Sequence, residues 1–226
     1  MRGKLIVITG IDGSGKTVQT KLLCAHLLKE GYPAVVTDFP QYGKTFFADM
    51  VTRYLTGEFG SANTVSPYLA ALLYAGDRWE CKEQIETWLN EGKIIVSNRY
   101  VCDNKAHQGG KLSSSREREK FFPWLDTLEH HIFRIPRSDL NILLYVPADI
   151  AYKLIERKEQ RAYLGAEKKD IHEKDISHLK NSQQTFLDIA KKEKGWVIIN
   201  CTQNNALLPE QVIAGKVWEA IQNIIG

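Results

Sequence analysis

The sequence predicts an α/β fold, a doubly wound five-stranded parallel sheet with helices on both faces. Three observations carry this expectation. Short apolar runs recur along the chain, most of them without polar alternation. Helical patterns lie between them, and the first run opens into a glycine-rich loop followed by a helix. A strand covered by helices on both faces has no solvent side, so it reads as a continuous Val/Ile/Leu run. Strands that alternate with helices along a chain pair in parallel through crossovers.

Taken in order, Leu5–Thr9 is the first predicted strand. A helix starts near Lys16, with Val18, Leu22, Ala25 and Leu28 as its apolar stripe and Gly31 as its stop. Ala34–Thr37 is the second strand. Ser66 as cap and Pro67 in the first turn open one long helix that runs towards Trp88 and Leu89 and ends near Gly92. The remaining strands are Ile94–Ser97, Asn141–Val146 and Trp196–Ile199. The element string β-α-β-α-α-β-α-α-β-α-α-β-α describes a single domain over residues 1–226. No repeat or linker interrupts it. One compositional shift, "RKEQRAYLGAEKK" at 157–169, holds five basic residues around a glycine and reads as a mobile segment between helices.

Composition narrows the classes of function. With 226 residues the chain can bury a core without staples. A formal charge of +3 calls for neither a nucleic-acid stripe nor a membrane surface. Cys24, Cys81, Cys102 and Cys201 are scattered and read as reduced thiols. No signal-peptide pattern and no apolar run of spanning length is seen, so a soluble, cytoplasmic protein is expected.

The loop after the first strand, "ITGIDGSGKT", contains Gly10-x-x-x-x-Gly15-Lys16-Thr17, the P-loop pattern. Its glycines let backbone N–H groups curl around a phosphate, and the following helix adds the positive end of its dipole. Gly10, Ile11, Asp12, Gly13, Ser14, Gly15, Lys16 and Thr17 are thus the candidate nucleotide cradle. Lys16 suits the terminal phosphates, and the Thr17 hydroxyl suits Mg²⁺. Asp12, close in sequence to the cradle, is expected to add negative charge beside the metal.

In parallel α/β sheets ligands bind at the carboxyl ends of strands. The second strand ends in Asp38-Phe39-Pro40-Gln41-Tyr42-Gly43 and the third in Asn98-Arg99-Tyr100. The helix between them carries Tyr74, Asp77 and Arg78, and Ala75-Gly76 is expected to leave a bare patch beside Tyr74 for a flat ligand. Aromatic planes suit a nucleobase and guanidinium groups suit a phosphate or carbonyl. The acceptor is therefore expected to be a nucleotide itself.

With these motifs in view, the sequence resembles the thymidylate kinases, P-loop enzymes of the nucleotide-kinase type. "GIDGSGKT" resembles their P-loop and "FPQYG" at 39–43 their F-P-x-Y-G loop. "LLYAGDRW" at 72–79 is similar to F-x-x-[DN]-R, "NRYVCDNKAHQG" at 98–109 to D-R-Y-x-x-S-N-x-A-[YFH]-Q-G, and "DIHEKD" at 170–175 to D-x-x-E-x-D. The resemblance implies transfer of the γ-phosphoryl group of ATP to dTMP, with Mg²⁺ as cofactor, in a homodimer.

Residue by residue, it implies that Tyr74 stacks on thymine, that Arg78 and Asn104 contact the base, and that Arg99 holds the acceptor phosphate with Phe39 and Tyr42 alongside. His107 lies against the deoxyribose, and Gln108 belongs to the same motif. Asp12 and Glu173 stand near the sugar hydroxyl. Arg157 and Arg161 lie in a lid over ATP at about 157–169. The catalytic set is then Lys16, Arg99, Arg157, Arg161 and Asp12. The sequence departs from the family pattern at Thr9, Asn98 and Asp103, where members carry glutamate, aspartate and serine. Two other functions stand beside this one: a kinase for another deoxynucleotide such as dUMP, and a nucleotide-binding protein with little turnover.

Overall fold

All five expected strands form, each within one residue of its expected ends: β1 (Lys4–Thr9), β2 (Ala34–Asp38), β3 (Ile94–Asn98), β4 (Leu140–Tyr145) and β5 (Trp196–Asn200). The computed structural model describes residues 2–61, 64–156 and 176–225. The expected lid, with Arg157 and Arg161, and the acid Glu173 that follows it lie outside the described residues. The strands pair in parallel in the order β2-β3-β1-β4-β5. β1 is therefore central, and the crevice for a ligand opens at its carboxyl end.

Around the sheet run α1 (Lys16–Lys29), α2 (Phe46–Leu55), α3 (Pro67–Glu80), α4 (Lys82–Asn90), α5 (Val101–Gly109), α6 (Ser115–Asp126), α7 (Ala148–Glu156), α8 (Ile176–Lys192) and α9 (Glu210–Ile225). A π-helical turn, Thr127–Ile132, continues α6. Alternate residues of β1 feed two different cores, because successive side chains of a strand point to opposite faces. Ile6 and Ile8 pack with Leu23 and Leu27 of α1, Phe186 of α8 and Val217 of α9. Leu5 and Val7 pack with Ile85 and Leu89 of α4, Ile95, Phe39 and Tyr100. Each such aliphatic side chain contributes about 1.5–3 kcal/mol on burial. No described helix is long and apolar enough to cross a membrane.

Four local expectations change. The stripe of α1 is rotated: Leu23, Cys24 and Leu27 are buried, whereas Val18 and Leu28 are exposed. Two stripes of similar spacing exist on this helix. The loop before it sets the rotation, because Lys16 must turn back over that loop. Gly31 does stop the helix: at φ 85° its N–H reaches the Leu28 carbonyl, and the Tyr32 N–H reaches Leu27.

The single long helix expected after Ser66 is two helices, broken at Cys81, and the Ser66 side chain makes no cap bond. The break turns Ile85 and Leu89 into the core beneath the sheet while Arg78 stays at the crevice. Ala75 and Gly76 are not bare. Ala75 is fully buried, and a Cβ on Gly76 would lie 2.4 Å from the Phe47 ring. The glycine is what lets α2 approach α3. Finally, a small antiparallel hairpin, β6 (Thr202–Gln203) and β7 (Ala206–Leu207), lies beyond the sheet without a sequence signal strong enough to foresee it.

Candidate active site

The phosphate loop is shaped by left-handed backbone that side chains disfavour. Gly13 sits at φ 80°, and a Cβ there would lie 2.5 Å from the Ala151 carbonyl oxygen. Gly15, at φ 87°, is the N-cap of α1 and has open space where a Cβ would stand. Lys16 folds back over the loop and donates to the carbonyl oxygens of Gly10 and Ile11, each at 2.9 Å. Its ammonium also lies 3.9 Å from Asp12 Oδ1.

A cavity of about 910 Å³ runs from this loop along the strand ends. Among the described residues it joins Asp12, Gly13, Gly15, Lys16 and Thr17 to Phe39 and Tyr42, to Tyr74 and Arg78, and to Arg99, Asn104, His107 and Gln108. Of the expected cradle, Gly10, Ile11 and Ser14 stand behind the lining: Ile11 packs into the α1-side core and Ser14 is buried.

Arg99 occupies a left-handed conformation, φ 67°, where the chain leaves β3. Such a conformation costs about 1–3 kcal/mol for a non-glycine residue. Its amide donates to the Ile8 carbonyl at 3.1 Å, and the Arg99 carbonyl accepts from Ser97 Oγ at 2.6 Å, so the strained turn is held from both sides. The guanidinium ion-pairs with Asp12 through Nη2. Nη1 donates to Asp103 Oδ1 at 3.3 Å and contacts His107 Nε2 at 3.1 Å. A guanidinium only donates, so His107 Nε2 accepts and its proton resides on Nδ1. Burial, and then the charge of Arg99, push the His107 pKa well below 6.5, so the ring is neutral.

Two of the family departures answer one another in space. Thr9 Oγ1 donates to Asp103 Oδ2 at 2.8 Å, across 94 positions of sequence. An acid absent at position 9 is thus supplied by position 103, which also receives the Tyr100 amide at 3.0 Å and steadies Arg99.

Arg78 is 2% exposed and forms a two-pronged ion pair with Glu129, which is fully buried on the π-helical turn. Asn104 Nδ2 donates to the same carboxylate at 3.0 Å and to the Ala71 carbonyl at 2.9 Å. Glu129 therefore aligns both expected base-contacting residues, and nothing in "LEHHIF" announces it. The side-chain oxygens of Asn104 and Gln108 are buried and without a hydrogen-bond partner. Asp77, also unassigned by sequence, ties α3 to the 39–43 loop. It accepts from the Gln41 amide at 3.1 Å and from Thr45 Oγ1 at 2.5 Å. Tyr74 meets Tyr54 edge to face at 6.4 Å, and Phe39 packs on Tyr100 at 5.7 Å.

On the metal side, Asn98 Nδ2 donates to Thr17 Oγ1 at 3.3 Å, while Asn98 Oδ1 is buried without a partner. Oxygen donors of this kind fit Mg²⁺. Among the described residues no three His, Cys, Asp or Glu side chains gather as a metal cage. An ion here would take most of its shell from phosphate and water. Asp12, expected to serve it, has its charge largely neutralised by Arg99 and Lys16.

The chain is similar to several known proteins. A family model described as "Thymidylate kinase" matches residues 8–212. A thymidylate kinase of Mycobacterium tuberculosis is 27% identical over 197 residues, covering 86% of this chain and 90% of that protein. A probable thymidylate kinase of Pyrococcus abyssi is 28% identical over 216 residues, covering 95% and 96%. The solved thymidylate kinase of Candida albicans superposes with a TM-score of 0.76 at 24% identity, over 99% of this chain and 92% of that one. The first of these alignments is the broadest in kind, since it describes a whole family and takes in the phosphate loop, both strand ends and α8 alike; on that match the chain belongs to the thymidylate kinase family.

Proposed function

We propose that the chain transfers the γ-phosphoryl group of ATP to dTMP, producing dTDP and ADP. The observation that carries this reading is the single cavity in which the phosphate loop and the acceptor residues share one wall. Donor and acceptor phosphates can then meet without crossing solvent, and positioning alone removes much of the barrier. An acceptor phosphate dianion is already a nucleophile, so the site needs no strong base.

The cradle residues Gly10 to Thr17 hold ATP. Lys16 leaves the Gly10 and Ile11 carbonyls for the terminal phosphates. Arg99, braced by Asp12 and Asp103, receives the acceptor phosphate beside Phe39 and Tyr42. Mg²⁺, held by Thr17 and the phosphates, would neutralise charge developing on the transferred group; Asp12, expected beside the metal, is instead engaged by Arg99 and Lys16. Arg157 and Arg161 are assigned the same electrostatic task, and Glu173 the sugar hydroxyl. The neutral His107 ring lies against the deoxyribose.

Base choice follows from donors and acceptors. Arg78 commits Nε and Nη2 to Glu129, so Nη1 is the nitrogen it can offer to a base carbonyl. The unpaired oxygens of Asn104 and Gln108 suit the N3–H of thymine or uracil. Cytosine has no proton at N3 and would leave a buried acceptor unpaired. Tyr74 supplies the stacking face.

Coupled ADP-release rates across a panel of monophosphates test the reading. The expected order is dTMP first, dUMP within about 10–200-fold because only a methyl group differs, and dCMP and dGMP far behind. Equal rates for purine and pyrimidine acceptors would sink it. Arg99→Ala should weaken dTMP binding by about 1.5–3 kcal/mol, one charge-assisted hydrogen bond. Calorimetric titration decides, and unchanged affinity would remove Arg99 from the acceptor site.

We also assign a cytoplasmic homodimer. Leu69, Leu72 and Trp79 on α3 are exposed at 62%, 36% and 51%, and apolar side chains grouped on one helix face are what a partner would cover. Sedimentation should return twice the chain mass, and a monomer at micromolar concentration would contradict the assignment.

A further inference from the structure

P-loop sites hold Mg²⁺ between the loop Ser/Thr and an aspartate at a nearby strand end. The strand end that touches Thr17 here carries Asn98, which reaches Thr17 Oγ1 at 3.3 Å but brings no charge. Asn98 is 6% exposed, and its Oδ1 has no partner. That oxygen is placed for a donor the protein itself does not provide, such as a metal-bound water.

One strand further out stands an acid. Asp38, the last residue of β2, is in register with Asn98, and Asn98 is in register with Ile8 of β1. Residues in register across a parallel sheet project to the same face. Ile8 enters the core on the α1 side, so Asn98 and Asp38 face the side on which α1 begins with Lys16 and Thr17. Asp38 lines the same cavity as Lys16, Thr17 and Asn98. Asp38 is open to solvent at the end of its strand; partial desolvation there raises its pKa above the usual carboxylate value, while the Asn98 amide, Arg99 and Lys16 act in turn to favour the charged form.

We propose that Asp38 supplies the carboxylate of the magnesium site from the β2 end, one strand away from the usual position, with Asn98 as the amide linking it to Thr17. The inference rests on the reading of the cavity as an ATP site. It deepens that reading by naming a metal-positioning residue. The acid acts on the ion's water shell, and the asparagine keeps the two strand ends from placing like charges side by side.

The test measures metal binding rather than turnover. The β,γ-imido analogue of ATP is titrated calorimetrically with and without metal. Mn²⁺ binding to the protein–analogue complex is followed by electron paramagnetic resonance. The variants are Asp38→Asn, Asn98→Asp and the double exchange. The parent should bind Mn²⁺ with the analogue. Asp38→Asn should weaken Mn²⁺ binding by about 10–100-fold, the loss typical of a residue that orients a metal's shell, with metal-free analogue affinity within about twofold of the parent. The double exchange, which returns the carboxylate to β3, should recover most of the loss. Unchanged Mn²⁺ affinity in Asp38→Asn overturns the proposal, as does a loss that the exchange fails to recover. A parent that binds no analogue under either condition overturns the nucleotide-site reading and this inference together, so the two failures are distinct.

Discussion

Lys16→Ala will lower phosphoryl transfer by about 10²–10³-fold, the loss seen when one preorganised donor to a developing charge is removed, while dTMP binding stays near the parent value. Lys16 is 6% exposed, and its ammonium rests on two carbonyl oxygens of its own loop. It is thus held within the cavity before any phosphate arrives, and it exchanges those two carbonyl oxygens for phosphate oxygens when one does. The acceptor wall is built from the 39–43 loop, the end of β3, α3 and α5, none of which holds Lys16, so the substitution should leave it intact. Coupled ADP release reads the rate, and calorimetric titration with dTMP reads the acceptor site. A variant that keeps more than a tenth of the parent rate would mean that the backbone cradle suffices and that Lys16 is structural. Loss of dTMP binding alongside the rate would mean that the two phosphate sites are not separate.

Glu129→Ala will cost about 3–5 kcal/mol of stability, because it leaves the Arg78 guanidinium buried without its counter-charge. Arg78 is 2% exposed and Glu129 fully buried, so solvent cannot take the carboxylate's place. Acceptor binding should fall with it, since Asn104 donates to the same carboxylate. Urea unfolding reads the first effect and dTMP titration the second. The double variant Arg78→Met with Glu129→Leu separates them. A well-packed apolar pair should recover most of the stability, yet it should still fail to bind dTMP. If Glu129→Ala unfolds at the urea concentration of the parent, the ion pair does not brace this wall. If the double variant binds dTMP normally, Arg78 does not read the base.

These two residues differ in how they could be found. Lys16 belongs to eight consecutive positions whose spacing carries its own meaning, since a loop that wraps a phosphate must be built from neighbours in the chain. Glu129 meets Arg78 across 51 positions, and it reaches the core only because α6 runs on into a π-helical turn. No short-range pattern marks such a turn. Asp103 likewise looks like a lone departure from the family pattern until Thr9 is found bonded to it. Asp38 reads only as the end of the second strand, with no task of its own, until strand pairing sets it beside Asn98.

The sequence by itself determined the five strands, the phosphate loop, the stop at Gly31 and the arginine at the end of β3. Each rests on residue type and on spacings within a few positions, where backbone sterics and local hydrogen bonds decide the outcome. Tertiary structure alone decided which stripe of α1 is buried, where the helix after Ser66 breaks, and which acids stand beside Arg99, Arg78 and Thr17. The strand order β2-β3-β1-β4-β5 brings those partners together from distant parts of the chain. Their contacts depend on how layers pack and on which strands are in register, and no local spacing encodes either.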